Sequence, residues 1–195
     1  MKNNMIEEIE KYARENDILI MQKDGIDFMC NYIKEHGVKS ILEIGTAIGY
    51  SSIKMALVND NISVVTVERD EERYNEAIKN INKFGLEDRI KVHLCDALDF
   101  KIDEKFDLIF IDAAKAQYIK FFEKYKVNLN KNGVIISDNL LFHGFVENIE
   151  QVRSKNLRQL VKKLIKYRKF LEENTEFKTT FYEIGDGIAV SKKEE

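Results

Sequence analysis

The sequence has few of the residues that mark secreted, membrane-bound or metal-thiolate proteins. Its two cysteines, Cys30 and Cys95, are too few for a disulfide framework and lack the spacing of zinc ligands. No apolar run approaches the roughly 20 residues that a membrane helix needs. The N-terminal segment is acidic early and has no apolar core, unlike a secretory signal. We therefore expect a cytoplasmic protein that does not associate with a membrane.

An excess of positive charge is also missing. The 195-residue chain has a net charge of −3 and a pI of about 5.8, so the protein as a whole is not a basic nucleic-acid binder. Affinity for RNA would have to come from a local patch. Internal repeats, low-complexity segments and Gly/Ser linkers are absent as well. We expect a single domain over residues 1–195, in which N-terminal helices within residues 1–38 cover the functional site.

Most of the chain alternates between predicted strands and helices. Two helices are expected first, at about 6–15 and 26–36, and strands and helices then alternate up to residue 138. The continuous apolar runs VVTV, LIFI and VIIS are typical of strands covered on both faces. A long helix at about 152–173 follows, and then FKTTFYEI and GIAVSK, which predict an antiparallel hairpin. The pattern predicts an α/β fold: a doubly wound, mostly parallel sheet of seven strands with helices on both faces.

Polar side chains stand at the ends of the predicted parallel strands, where ligands bind in folds of this class. They are Glu43 with Gly45, Glu68, Asp96, Asp112, and Asp138 with Asn139. Any one of these acidic residues alone is explained as a helix cap. Five strands that end in this way together indicate a binding site.

The first strand and turn, EIGTAIGYSS, lacks the G-x-G-x-x-G fingerprint of a dinucleotide fold. Glu68, at the next strand end, is placed to accept hydrogen bonds from the two hydroxyls of a ribose. Asp96 ends the third strand, where an adenine would lie. The absence of basic residues for a pyrophosphate favours S-adenosylmethionine over NAD as the ligand.

Six stretches in chain order carry a family resemblance: LEIGTAIGYSS, VERD, CDALD, FDLIFIDAAKAQY, GVIISDN and IGDGIAVSKK. Together they resemble the metal-dependent O-methyltransferases, which include catechol and caffeoyl-CoA O-methyltransferases and a bacterial tRNA 5-hydroxyuridine methyltransferase. The resemblance extends from about Gly25 to Lys193. It implies an enzyme that transfers a methyl group from S-adenosylmethionine to oxygen, and a homodimer.

The resemblance also implies roles for individual residues. Asp112, Asp138 and Asn139 would hold one Mg²⁺ or another hard divalent cation, which suits three oxygen ligands without His or Cys. Lys115 would take the proton of the substrate hydroxyl, with Asp112 beside it as a second catalytic residue. The residues implied to contact S-adenosylmethionine are Glu43, Gly45, Thr46, Ser51, Glu68, Asp96, Ala97 and Asp112. Simpler interpretations remain, since Asp and Asn favour turns and exposed lysines are common.

A basic segment bears on the choice of substrate. Residues 151–170, QVRSKNLRQLVKKLIKYRKF, contain eight basic residues and no acidic one. Those that recur at three- and four-residue steps are Lys155, Arg158, Lys162, Lys166 and Lys169, opposite an apolar stripe of Leu157, Leu160, Val161 and Leu164. Such a face could follow a phosphate backbone, or it could simply be solvated.

The basic segment, the absence of tryptophan and the lack of an insertion for an acyl-CoA favour a tRNA substrate. The enzyme would methylate the 5-hydroxyl of 5-hydroxyuridine at the wobble position, giving 5-methoxyuridine, and Phe142 and His143 could line the lip of the site. A small catechol or phenol is the alternative substrate. Two other classes stay open: an NAD-dependent oxidoreductase, in which Asp138 and Asn139 would be idle, and a non-catalytic RNA-binding module, which would leave Lys115 without a role.

Overall fold

The computed structural model describes residues 2–141, 144, 146 and 148–194. Its strands form one seven-stranded sheet in the order β3-β2-β1-β4-β5-β7-β6. The strands are β1 (Ser40–Ile44), β2 (Ser63–Glu68), β3 (Ile90–Leu94), β4 (Phe106–Ile111), β5 (Leu129–Ser137), β6 (Phe177–Tyr182) and β7 (Ile188–Lys193). Strands β1 to β5 are parallel, and β7 runs antiparallel to both β5 and β6. The predicted α/β fold with a C-terminal antiparallel hairpin is confirmed.

In the described residues, six α-helices surround the sheet: α1 (Lys2–Glu15), α2 (Lys23–His36), α3 (Tyr50–Ala56), α4 (Glu71–Lys83), α5 (Tyr118–Tyr125) and α6 (Lys155–Glu172). Helix α6 begins later than predicted because Ser154 caps it, its hydroxyl accepting from the Leu157 N–H at 3.4 Å. Helix α1 begins at Lys2, earlier than predicted. The prediction relied on apolar periodicity, which the residues before Ile6 lack. Within the described ranges, none of the helices combines the length and the apolar character needed to cross a bilayer.

The strands are apolar without interruption because both faces of the sheet are covered. Successive residues of β1 show this: Ile41 packs in an apolar cluster with α2 and α3, and Leu42 packs in a second cluster with α5 and α6. Helices α1 to α4 cover the first face and α5 and α6 the second. Both β1 residues are fully buried, and burial of one such side chain contributes roughly 1.5–3 kcal/mol.

The register of the parallel strands brings their carboxyl ends level. Ile44 of β1 lies beside Val67 of β2 and Ile111 of β4, and Ile111 lies beside Ser137 of β5. The residues that follow these positions therefore meet at one edge of the sheet. Gly45 permits this close approach: its φ is +108°, and a Cβ atom there would lie 2.1 Å from the carbonyl oxygen of Asp112.

Candidate active site

A cleft of about 400 Å³ opens at the carboxyl ends of the parallel strands. Most of the site residues predicted from the sequence line it: Gly45, Thr46, Ser51, Glu68, Asp96, Ala97, Asp112, Lys115 and Asn139. Leu19 to Gln22, the segment between α1 and α2, lines it as well. The two remaining predicted residues, Glu43 and Asp138, are buried (0% and 3% exposed) and lie outside the lining.

Glu43 supports the cleft from within the protein. Its carboxylate accepts hydrogen bonds from the hydroxyls of Ser51 (2.5 Å), Thr66 (2.6 Å) and Ser52. Burial raises the pKa of Glu43 to about 7, against the opposing effect of these three hydrogen bonds. The side chain therefore ties the start of α3 to β2, which fixes the loop between β1 and α3.

Glu68 holds the same loop at the cleft surface. Its carboxylate accepts backbone N–H groups from Ala47 (2.8 Å), Arg69 (2.9 Å) and Asp70 (2.9 Å). A carboxylate offers about four lone-pair positions. One position therefore remains for a ligand hydroxyl.

The loop after β3 is fixed in a similar way. The Asp96 carboxylate accepts the Leu98 N–H at 2.8 Å, and the Ala97 carbonyl accepts the Tyr125 hydroxyl at 2.5 Å. These bonds place Asp96 and Ala97 on the cleft wall without help from a ligand.

The opposite end of the cleft is strongly acidic and contains one lysine. Lys115 lies in a short 3₁₀ helix, Lys115–Gln117, and its ammonium group donates to the side-chain oxygen of Asn139 at 2.6 Å. Burial raises the pKa of Asp112, and Lys115 opposes this rise. Burial and the nearby charge of Asp112 also raise the pKa of Asp138. The structure thus brings Lys115 together with all three residues that the sequence predicted as metal ligands.

Asp186 belongs to the same cluster and was missed from the sequence. It lines the cleft, is 5% exposed, and its carboxylate accepts from the amide nitrogen of Asn139 at 3.4 Å. Its charge also raises the pKa of Asp112 and Asp138. The sequence pattern predicts only a hairpin here, and Gly-Asp-Gly at 185–187 is its turn. The signal that could have found Asp186 is its place within IGDGIAVSKK, a stretch that carries the family resemblance.

The residues of this cluster suit a hard divalent cation. Their donors are carboxylate and amide oxygens, which Mg²⁺ prefers. Burial first, and then the negative charges of Asp112 and Asp186, raise the pKa of Asp138, and a bound divalent cation would favour its ionised form. In the part of the chain that the structure describes, no three His, Cys, Asp or Glu side chains are arranged to hold one metal. The amide oxygen of Asn139 would add a third oxygen donor to those of Asp112 and Asp138.

The basic face of α6 is only partly available to a ligand. Helix α6 packs against the 3₁₀ helix that carries Lys115. Lys155, Lys162 and Lys166 are exposed, whereas Arg158 donates to the Val152 carbonyl at 2.7 Å and Lys169 pairs with Glu173.

The apolar stripe of α6 differs slightly from its prediction. Val161 and Leu164 are buried as expected, but Leu157 and Leu160 are half-buried, and Tyr167 and Leu171 complete the buried side. Phe142 and His143, the predicted lip residues, lie outside the described residues.

Comparison with known proteins decides the family. The family model described as O-methyltransferase matches residues 2–194. The chain belongs to the O-methyltransferase family. The predicted enzyme class, an S-adenosylmethionine-dependent O-methyltransferase, is thereby confirmed over the oxidoreductase and the non-catalytic module.

Individual relatives agree with this assignment. The chain is similar to a catechol O-methyltransferase of Niastella koreensis, with 30% identity over 176 residues that cover 75% of this chain and 78% of the other. Its structure is similar to that of a Staphylococcus aureus protein assigned as a caffeoyl-CoA O-methyltransferase, with 42% identity, a TM-score of 0.93 and coverage of 97% and 92%. It is also similar to a Bacillus cereus O-methyltransferase in complex with S-adenosylhomocysteine, with 25% identity, a TM-score of 0.84 and coverage of 98% and 91%.

Proposed function

We propose that this O-methyltransferase depends on Mg²⁺ and methylates a substrate hydroxyl that Lys115 deprotonates. The observation that carries the proposal is the contact of 2.6 Å between the Lys115 ammonium and the side-chain oxygen of Asn139, beside the buried Asp112 and Asp138. Lys115, Asp112 and Asn139 thus line one end of the cleft, and the buried Asp138 is close enough for its charge to interact with those of Asp112 and Lys115.

Asp112, Asp138 and Asn139 would hold the cation. When bound, Mg²⁺ supplies positive charge that favours the ionised form of a substrate hydroxyl. Asp138 is buried next to the charge of Asp112, and both effects raise its pKa, so a nearby cation would stabilise its ionised form, which supports the assignment.

Lys115 would hold and move the proton. Its hydrogen bond to Asn139 already aims the side chain at the acidic cluster, and general-base catalysis needs an acceptor within hydrogen-bonding reach of the proton. The rest of the chain's contribution is positioning, since a cleft with fixed walls holds two reactants in line.

The other end of the cleft would bind S-adenosylmethionine. Glu68 would accept one ribose hydroxyl at its remaining lone-pair position, and Asp96 and Ala97 would lie beside the adenine. Gly45, Thr46 and Ser51 would contact the rest of the cofactor, above the support that Glu43 provides. The complex of the Bacillus cereus relative with S-adenosylhomocysteine supports this use of the cleft. The segment from Leu19 to Gln22 would cover the bound cofactor.

For the substrate we favour tRNA that carries 5-hydroxyuridine at the wobble position. The supporting observation is that α6, with Lys155, Lys162 and Lys166 exposed, packs against the 3₁₀ helix of Lys115. These exposed lysines offer positive charge to a phosphate backbone, on a helix that touches the segment of Lys115.

A small catechol or phenol is the second candidate. The relative from Niastella koreensis is a catechol O-methyltransferase, and a catechol would offer two neighbouring oxygens to the cation and Lys115. In that case the lysines of α6 form only a solvated face.

A methyl-transfer assay separates the two substrates. The protein is incubated with methyl-labelled S-adenosylmethionine and Mg²⁺, and with either tRNA bearing 5-hydroxyuridine or catechol. We expect label in the tRNA, and label in catechol alone would overturn the tRNA proposal. Light scattering on the same preparation checks the homodimer implied by the resemblance.

Two charge-reversal variants sharpen this test. Lys162→Glu with Lys166→Glu should raise the KM for tRNA and leave S-adenosylhomocysteine affinity unchanged. The matched control, Lys91→Glu with Lys131→Glu, changes two exposed lysines outside α6 by the same charge. If both pairs raised the KM equally, the effect would be one of net charge, and α6 would not be the contact surface.

A further inference from the structure

We propose that Asp186 is a positioning residue that orients the side-chain amide of Asn139, so that its oxygen faces the divalent cation. This inference rests on the proposed function, because it assigns Asn139 to the metal site. Asp186 itself would not bind the ion. It would act through Asn139 and through the turn in which it lies.

Two neighbours fix the orientation of the Asn139 amide, because one is a hydrogen-bond donor and the other an acceptor. Lys115 can only donate, and it donates to the oxygen at 2.6 Å. The Asp186 carboxylate can only accept when ionised, and it accepts from the nitrogen at 3.4 Å. A flipped amide would place a donor against Lys115 and an acceptor against Asp186, so both contacts exclude it.

The two neighbours are not equivalent during the reaction. Lys115 is the proposed base, so in its neutral form it must turn its lone pair towards the substrate hydroxyl, and its contact with Asn139 cannot stay constant through the reaction. The bond to Asp186 involves the nitrogen alone and leaves the oxygen available to a cation. Asp186 can therefore keep the amide oriented at every stage.

Backbone hydrogen bonds also join the turn of Asp186 to the segment that follows Asn139. The Leu141 N–H donates to the Asp186 carbonyl at 2.8 Å, and the Leu140 N–H donates to the Gly187 carbonyl at 3.0 Å. Asn139 has a φ of +64°, a conformation that few residues other than glycine adopt. The Gly-Asp-Gly turn thus holds the segment after Asp138 in the left-handed conformation, which asparagine tolerates well, and Asn139 faces the cleft.

The turn is in close contact with the chain on both of its sides. A Cβ atom on Gly187 would lie 2.7 Å from the backbone nitrogen of Leu141 and 2.6 Å from its Cγ atom. On the other side, a Cβ atom on Gly185 would lie 3.4 Å from the backbone nitrogen of Gly25, at the start of α2. The hairpin turn is therefore fixed between α2 and the proposed metal site.

The placement of Asp186 also argues against a direct bond to the ion. Across residues 2–141, 144, 146 and 148–194, no three side chains of His, Cys, Asp or Glu are arranged to share one metal. The Asp186 carboxylate instead contacts the amide nitrogen of Asn139, as the partner of a metal ligand does. Partners that hydrogen-bond to metal ligands commonly affect metal affinity by about 10- to 100-fold when they are removed.

The test measures Mn²⁺ binding, by the electron paramagnetic resonance signal of the free ion, in the presence of S-adenosylhomocysteine. Asp186→Ala should weaken Mn²⁺ binding by about 10- to 100-fold. Asp186→Asn should stay close to the wild type, because its side-chain oxygen still accepts from Asn139. Affinity for S-adenosylhomocysteine, measured by calorimetry, should be unchanged in both variants. Glu183→Ala, an exposed change on the same hairpin, is the control.

Each other outcome overturns the inference in a distinguishable way. If Asp186→Ala bound Mn²⁺ like the wild type, the residue would have no positioning role. If Asp186→Asn lost as much affinity as Asp186→Ala, the carboxylate charge or a direct bond to the ion would be responsible. If the wild type bound no Mn²⁺, the metal site of the proposed function would itself be wrong.

Discussion

The buried carboxyl group of Glu43 makes the stability of this protein depend on pH in a defined window. Burial raises the pKa of Glu43 from 4.5 to about 7, so the folded state binds a proton that the unfolded state releases. The corresponding stabilisation is fully present below about pH 4.5 and is lost as the pH rises to about 7. At about 1.4 kcal/mol per pH unit, the loss amounts to roughly 3 kcal/mol.

Glu43→Gln isolates this effect. Glutamine imitates the protonated acid, and the hydroxyls of Ser51, Ser52 and Thr66 can rotate to bond with it. Near pH 4.5 the variant and the wild type should therefore have similar free energies of unfolding. At pH 8 the variant should be more stable by up to roughly 3 kcal/mol, since it has no buried charge.

The assay is urea unfolding of both proteins at several pH values between 4.5 and 8. Glu72→Gln, at an exposed position of α4, should show no such pH-dependent difference from the wild type. A Glu43→Gln variant that is less stable than the wild type at pH 8 would refute the reasoning. It would show that the three hydroxyls hold Glu43 in its ionised form.

Three further predictions follow from single contacts. Gly45→Ala should destabilise the fold by roughly 2–4 kcal/mol in urea unfolding. The new Cβ would clash with the carbonyl oxygen of Asp112, and the positive φ of this position disfavours alanine. The control Gly85→Ala, with a φ of +64° and no neighbour within 4 Å, should cost only about 1 kcal/mol. Tyr167→Phe removes the buried hydrogen bond of 2.6 Å to the Ser137 hydroxyl and should cost about 1–2 kcal/mol, part of which an added Ser137→Ala should restore. Lys115→Ala should abolish methyl transfer while S-adenosylhomocysteine still binds, and full activity in this variant would contradict its role as the base.

The fold was predictable because its signals are local. The continuous apolar runs in β2, β4 and β5 occur only where both faces of a strand are covered, as Leu108 and Ile109 show by packing on opposite sides of the sheet. The place of the site was also predictable, since the carboxyl ends of parallel strands must share an edge. Gly45 and Asp112 were named from this rule alone, and they are in close approach.

The individual contacts within the site depend on distant parts of the chain. Asp186 is 47 positions from Asn139, and a Gly-Asp-Gly stretch carries the same sequence signal whether its aspartate faces solvent or a cleft. Glu43 and Asp138 stand at strand ends like Glu68, yet they are buried out of the cleft. Whether a side chain at a strand end faces the cleft or the interior depends on how the helices pack, and the local sequence does not determine it.

The central claim is that the acidic end of the cleft binds a divalent cation needed for methyl transfer. The most direct measurement is the rate of methyl transfer by protein stripped with EDTA, followed by titration with Mg²⁺. We expect a methyl-transfer rate near zero after stripping and recovery of the rate on addition of Mg²⁺. The rate should not recover in Asp138→Ala, whereas the control Asp88→Ala, at an exposed position, should recover like the wild type. Full activity in EDTA, or a normal Mg²⁺ response in Asp138→Ala, would contradict the claim.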